Sequence, residues 1–167
     1  MNFSVSEYKY LIQPGYMFIT ENATSIYGVT GSGLFVALFD EKMKYSGCCS
    51  YLYPTPENAE SLSTKYGAVA IKHLIKKMKN KGSQPENIKA HLIGGSDTDS
   101  SNEYGKKNVN IARTVLNYFM IEVLSSDIGG QLGRKFIYDT ESGQSLTFKT
   151  DKVRTSDWYP YEQRESS

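Results

Sequence analysis

The first part of the chain shows short apolar runs separated by polar turns, a pattern typical of a β-sheet. Residues 26–40 predict two strands joined by a tight Gly-Ser-Gly turn. Residues 34–39, in the second of these strands, are all apolar, as expected of a strand that is buried on both faces. A polar stretch at residues 40–44 predicts a hairpin turn, and a third strand at residues 45–53 ends before a pair of prolines.

Two later stretches carry apolar residues at helical spacing. The first lies between residues 57 and 81 and is followed by Gly82, which favours the end of a helix. The residues that set the two periods are Ala68, Ile71, Leu74, Ile75 and Met78 in the first helix, and Val109, Ala112, Leu116 and Phe119 in the second.

The segments between and after the helices complete a sheet. Short strands are predicted at residues 91–93 and 121–124, and a polar, mobile surface loop at residues 96–103. Residues 134–138 and 145–149 predict a closing hairpin. This order of elements, without internal repeats, predicts the α+β class. We expect a single-domain layered α/β sandwich with mixed and antiparallel strands and two main helices.

The composition changes after Thr150. Residues 1–150 are expected to form the folded domain, and residues 151–167 a polar C-terminal tail with one aromatic group, Trp158-Tyr159-Pro160-Tyr161. Aromatic residues are enriched where proteins bind each other. The group is therefore either an anchor for a partner or a segment that packs on the protein's own surface.

The balance of charge excludes some classes of function. The chain has 167 residues, with 19 basic and 18 acidic side chains. Proteins that bind nucleic acid normally have a basic excess, and the lysines at positions 76, 77, 79 and 81 suit the negative end of a helix dipole. The N-terminus lacks a secretory signal, and no stretch has the roughly 18 apolar residues of a membrane span. We therefore expect a cytoplasmic protein that neither binds nucleic acid nor inserts into a membrane.

Several short motifs follow one another along the chain. Gly31-Ser32-Gly33 precedes the apolar strand, residues 47–54 have the pattern Gly-x-x-Ser-x-x-x-Pro, and residues 127–135 are Asp-Ile-Gly-Gly-Gln-Leu-Gly-Arg-Lys. In this order and spacing they resemble the CheD family, the chemoreceptor glutamine deamidases of bacterial chemotaxis. The resemblance covers residues 15–149 and implies a CheD-type fold. Within the last motif, Gly129, Gly130 and Gly133 are expected to serve a turn with positive φ.

The resemblance also implies a reaction and three site residues. Members of the family hydrolyse a receptor glutamine side chain with a Cys nucleophile, a His base and a Thr that orients the His. Carried over by position, these sites are Gly33, Ser50 and Tyr27, and all three are substituted. Glycine offers no nucleophile, and a serine hydroxyl does not shuttle protons near neutral pH. No cofactor is implied.

The two adjacent cysteines are the alternative source of a nucleophile. Cys48 is expected to share a strand face with Ser50, while Cys49 points to the opposite face. Both are otherwise small core residues with reduced thiols, because adjacent cysteines seldom bond to each other. His73 and His91 are distant from them in sequence, and the four side chains lack the short paired spacing of a zinc site.

Two functions of different class remain. In the first, which the loss of all three side chains favours, the chain is a regulator that binds chemoreceptor cytoplasmic helices, a CheC-type phosphatase, or both, and the deamidase activity is lost. The binding residues are then Gly31, Ser32, Gly33, Ser50 and Tyr51. In the second, the chain is an active receptor glutamine deamidase that uses a displaced nucleophile such as Cys48.

Overall fold

The strands and helices are taken from a computed structural model that describes residues 3–58, 60–97 and 103–158. Over these residues the elements are β1 (Tyr8–Leu11), β2 (Met17–Thr20), β3 (Thr24–Thr30), β4 (Leu34–Asp40), β5 (Tyr45–Tyr51), α1 (Gly67–Asn80), β6 (Ile88–Gly94), α2 (Tyr104–Tyr118), β7 (Glu122–Ile128), β8 (Gly133–Asp139), β9 (Ser145–Thr150) and the short α3 (Thr155–Trp158), with a 3-10 turn at Pro85–Asn87.

The strands form two sheets. One has the order β1-β3-β8-β9 and the other the order β2-β5-β4-β6-β7. The pairs β1–β3 and β6–β7 are parallel, and the remaining pairs are antiparallel. The predicted α+β class with mixed strands is therefore confirmed.

The strand β4 explains how the layers stack. Because successive side chains of a strand point to opposite faces, Leu34 and Val36 pack in one hydrophobic cluster with α1 and α2. Phe35 and Ala37 pack in a second cluster with residues of the four-stranded sheet. The five-stranded sheet thus lies between the helices and the other sheet, which is why residues 34–39 are apolar at every position.

The helices agree with the predicted spacing but not with all of the predicted limits. The buried face of α1 carries Ala70, Ile71, Leu74, Ile75 and Met78, and Gly82 ends the helix with φ +109° while Ser83 N bonds Met78 O. The helix begins at residue 67, ten residues after the start of the predicted stretch. Residue Tyr66 is still extended there and forms a bridge to Tyr53, so the preceding chain is held against the end of β5.

The prediction of a mobile loop at residues 96–103 is only partly covered, because residues 98–102 lie outside the described ranges. Its first residue, Ser96, is buried and bonded to Gly31, so the loop starts from a fixed point. Within the described part of the chain, no helix is both long and apolar enough to cross a membrane.

Candidate functional site

The Gly31-Ser32-Gly33 turn connects the two sheets, since it follows β3 in one and precedes β4 in the other. All three of its carbonyl oxygens accept hydrogen bonds from later segments of the chain. The donors are Ser96 N and Oγ to Gly31 O, at 3.0 and 2.7 Å, Asn108 Nδ2 to Ser32 O, at 2.8 Å, and Gly95 N to Gly33 O, at 2.7 Å. The turn is therefore held rigidly.

Asn108, which the sequence did not mark as a site residue, links the turn to the end of β5. Its fully buried side chain also donates to Leu52 O at 2.9 Å. Its backbone oxygen accepts the hydroxyl of Tyr51 at 2.6 Å. Tyr51, a predicted binding residue, is 0% exposed, so its side chain supports the wall of the site from within.

Position 33 has no room for a side chain. A Cβ placed on Gly33 would lie 2.5 Å from Tyr51 O and 3.5 Å from Tyr51 C, which is closer than real Cβ atoms approach a backbone oxygen. The obstacle is backbone, so a rotamer change cannot relieve it. In this protein the glycine therefore permits β5 to lie directly against the position where the family resemblance would place the nucleophile.

The two other positions that the family resemblance assigns to the site lie on different sheets. Ser50 is on β5, pairs with Phe35, and is 4% exposed. Tyr27 is on β3, next to Ile26, whose side chain is buried between the sheets. Because neighbouring residues of a strand face opposite ways, Tyr27 points away from the inter-sheet layer. The fold thus directs Tyr27 away from the sheet that carries Ser50.

Cys48 is buried between the sheets. It is 2% exposed and packs with Phe35 and Ala37, whereas Cys49 packs against the helices. Burial, with a smaller contribution from Cys49, raises the pKa of the Cys48 thiol well above its ordinary value. The thiol is therefore protonated at neutral pH and closed to a protein substrate. Because Cys48 and Cys49 point to opposite faces, they also do not pair at one metal site.

The nearest histidine along the sheet does not activate Cys48. Ala37 pairs with Cys48 on one side and with His91 on the other, so the two residues are separated by two strand spacings, roughly 10 Å. That distance exceeds the reach of a direct hydrogen bond. His91 Nδ1 lies instead 2.6 Å from Ser125 Oγ, and His73 is an exposed residue of α1.

The buried thiols predict a loss of stability at alkaline pH. Burial raises the pKa of Cys49 from 9.0 to about 12. Above pH 9 the unfolded chain therefore loses this proton while the folded chain keeps it. The free energy of unfolding is expected to fall by roughly 1 kcal/mol per pH unit for each such thiol. Denaturant unfolding of the wild type and of Cys49→Ala above pH 9 measures the two slopes, and equal slopes would contradict the prediction.

The Asp-Ile-Gly-Gly-Gln-Leu-Gly-Arg-Lys segment forms a closed loop between β7 and β8. Arg134 is 2% exposed, and its guanidinium donates to Gly129 O at 2.6 Å, to Leu132 O at 2.9 Å and to Asp127 Oδ1 at 3.2 Å. Gly129 and Gly130 have φ +77° and +68°, which confirms the predicted turn. The side chain of Arg134 therefore holds the loop between β7 and β8 closed, which is a structural role.

The third glycine of this segment differs from the prediction. Gly133 has no positive φ. A Cβ at this position would overlap Val153 Cγ2 and lie 2.9 Å from Thr30 O. Gly133 is required for close packing against the C-terminal segment and the end of β3.

A cavity of about 430 Å³ lies beside the Gly-Ser-Gly turn. Two parts of the chain line it, namely Gly31, Ser32, Gly33 and Leu52 on one side, and Asp151, Lys152, Val153, Arg154 and Trp158 on the other. Three of the five predicted binding residues are therefore in its wall, while Ser50 and Tyr51 are not. The described part of the predicted tail returns to this cavity, and Tyr159 and Tyr161 lie outside the described residues.

Known proteins resemble this chain over most of its length. Residues 53–149 match the family model described as CheD chemotactic sensory transduction. A protein of Sulfurimonas denitrificans is 36% identical over 145 residues, which is 84% of this chain and 92% of the relative. A protein of Trichlorobacter lovleyi is 32% identical over 143 residues, which is 83% of this chain and 88% of the relative. Both relatives are named "Probable chemoreceptor glutamine deamidase CheD".

The matched span of the family model begins at residue 53, after positions 27, 33 and 50 and before both helices. It includes the Asn108 link and the Arg134 loop, which the structure shows to hold the turn and the strand ends in place. The matched residues, and the two relatives that each align with most of the sequence, show that this chain belongs to the CheD family.

Proposed function

We propose that this chain is a regulatory member of the CheD family that binds chemoreceptor cytoplasmic helices without deamidating them. A CheC-type phosphatase is the other partner that the resemblance implies. The relatives are named as chemoreceptor glutamine deamidases, and this supports the receptor as the partner. The proposal places the protein in the cytoplasm, where those receptor helices lie.

The observation that carries the proposal is the position of Tyr51 O, 2.5 Å from where a Cβ of residue 33 would stand. Amide hydrolysis of the family type needs a thiolate next to the glutamine carbonyl carbon and a base to take and return the proton. Here the backbone of β5 fills the nucleophile's place. Loss of a nucleophile costs triad enzymes roughly a millionfold in rate, so the reaction is expected to be negligible.

Binding has less strict requirements than catalysis. A partner side chain needs a surface of matching shape and hydrogen-bonding groups, whereas hydrolysis also needs groups placed for the transition state. The cavity beside the turn offers the partly exposed Ser32 and the apolar side chain of Leu52. The carbonyl bonds that fix the turn keep this surface ordered without a bound partner.

A receptor fragment that carries a target glutamine tests the proposal. Titration calorimetry is expected to show binding, and mass spectrometry after incubation is expected to show no amide-to-acid conversion. A CheD-family member that keeps the cysteine after the Gly-Ser turn serves as the positive control for the fragment. Conversion by the wild type that disappears in Cys48→Ala would establish the alternative, an active deamidase with a displaced nucleophile.

A further inference from the structure

The C-terminal segment, residues 151–158, turns back over the site after β9 ends. Thr150 Oγ1 donates to Lys152 O at 2.9 Å and so shapes the turn. Residues 151–154 and Trp158 then form one wall of the cavity whose other wall is the Gly-Ser-Gly turn. The segment that the composition marks as a tail is thus a part of the site's surface.

Trp158 lies against the edge of β3, beyond the part that β1 covers. The strand β1 pairs with β3 only from Thr24 to Tyr27, and Tyr27 O accepts Ile12 N at 2.9 Å. Two residues further, the carbonyl of Val29 points the same way and accepts the indole N–H of Trp158 at 2.8 Å. The tryptophan therefore continues the hydrogen bonding of β3 where its neighbouring strand has stopped.

Two further contacts hold the segment. Val153 packs on Gly133, where the absence of a side chain provides its space. Asp157 accepts Arg154 N at 2.9 Å and pairs with Lys135 Nζ at 3.0 Å. Lys135 is half exposed, so this ion pair contributes little on its own. The aliphatic contact and the indole hydrogen bond are the stronger attachments.

We infer that residues 151–158 cover the Gly31-Ser32-Gly33 side of this cavity from within the same chain, and that a receptor helix competes with them for this surface. The inference rests on the proposed function for its partner. Val153 and Trp158 line the same cavity as Ser32 and Leu52, so a receptor helix that packs on this surface is expected to displace them. The apparent association constant for the partner is then the intrinsic constant multiplied by the fraction of molecules in which the segment has moved away.

Affinity measurements test the competition. Trp158→Ala is expected to bind the receptor fragment roughly three- to tenfold more tightly than the wild type, because the competing segment is released. Tyr118→Ala, which removes an exposed aromatic residue of α2, is the matched control and is expected to leave the affinity unchanged. Trp158 is the only tryptophan of the chain, so its emission is expected to shift to the red as the fragment displaces it. Equal affinities and an unchanged emission would overturn the inference.

A second measurement works without any partner. Ser32→Cys places a thiol in the cavity, while Cys48 and Cys49 are buried. Labelling of this thiol by a maleimide is expected to become several times faster when Trp158→Ala is added. If the rate does not change, the segment does not cover the turn and the inference fails. If labelling accelerates but no variant binds the receptor fragment, the covering segment stands and the proposed function fails.

Discussion

Placing a cysteine at position 33 is expected to destabilise the protein without producing deamidation. The Cβ of any residue at this position meets Tyr51 O, so β4 and β5 must separate at their paired ends. Forcing extra atoms into a packed site typically costs about 1–3 kcal/mol. Gly33→Ala and Gly33→Cys are therefore expected to lose about this much of the free energy of unfolding.

The matched control is Ser32→Ala, the neighbouring residue, whose side chain lies in the cavity and whose loss is expected to change stability by less than about 0.5 kcal/mol. Urea unfolding of the three variants measures the difference.

The triple variant Tyr27→Thr, Gly33→Cys, Ser50→His is expected to remain inactive in the mass-spectrometric assay, since Tyr27 also points away from the inter-sheet layer. A triple variant with wild-type stability and measurable conversion would show that the backbone yields readily.

Removing the guanidinium of Arg134 is expected to have the largest effect on stability. Arg134→Ala leaves Gly129 O and Leu132 O without their donor and frees the Asp127 carboxylate. Hydrogen bonds to charged groups are worth roughly 1.5–3 kcal/mol each. The two bonds to carbonyl oxygens are partly buried, so solvent replaces them only in part when the donor is removed. We expect the free energy of unfolding to fall by on the order of 3 kcal/mol.

The control for this variant is Lys149→Ala, because Lys149 is exposed and pairs with Arg134 across β8 and β9. It is expected to stay within about 0.5 kcal/mol of the wild type. Thermal unfolding followed by circular dichroism measures both variants. If Arg134→Ala were as stable as Lys149→Ala, the loop between β7 and β8 would not depend on its arginine.

The parts of the fold that the sequence predicted well are those with long, regular patterns. The uniform apolar run of β4 predicted burial on both faces, and the spacing in α1 predicted its buried side. The edge strands β1 and β2 were missed. Each has only four residues, and each lies at the edge of its sheet, so neither shows enough alternation to be distinguished from a loop.

The site was less predictable because its decisive features are distances between distant parts of the chain. The motifs identified positions 27, 33 and 50, and the burial of Cys48 followed from its place in a strand. The contact between Gly33 and Tyr51 O depends on how closely two strands approach, which no local pattern encodes. The return of Trp158 to Val29 joins residues 129 positions apart. Packing of this aromatic group on the protein's own surface was one of the two alternatives that the sequence left open, but nothing in the sequence indicated the place.

The double burial of β4 also links the two layers of the molecule mechanically. One strand supplies Leu34, Val36 and Leu38 to the helical side and Phe35 and Ala37 to the side of the second sheet. Neither side can separate from this strand without exposing part of its hydrophobic surface to water, which is unfavourable in proportion to the apolar area exposed. Because β4 begins directly after the Gly-Ser-Gly turn, a substitution that loosens the packing on either side of this strand is also expected to weaken the support of the turn.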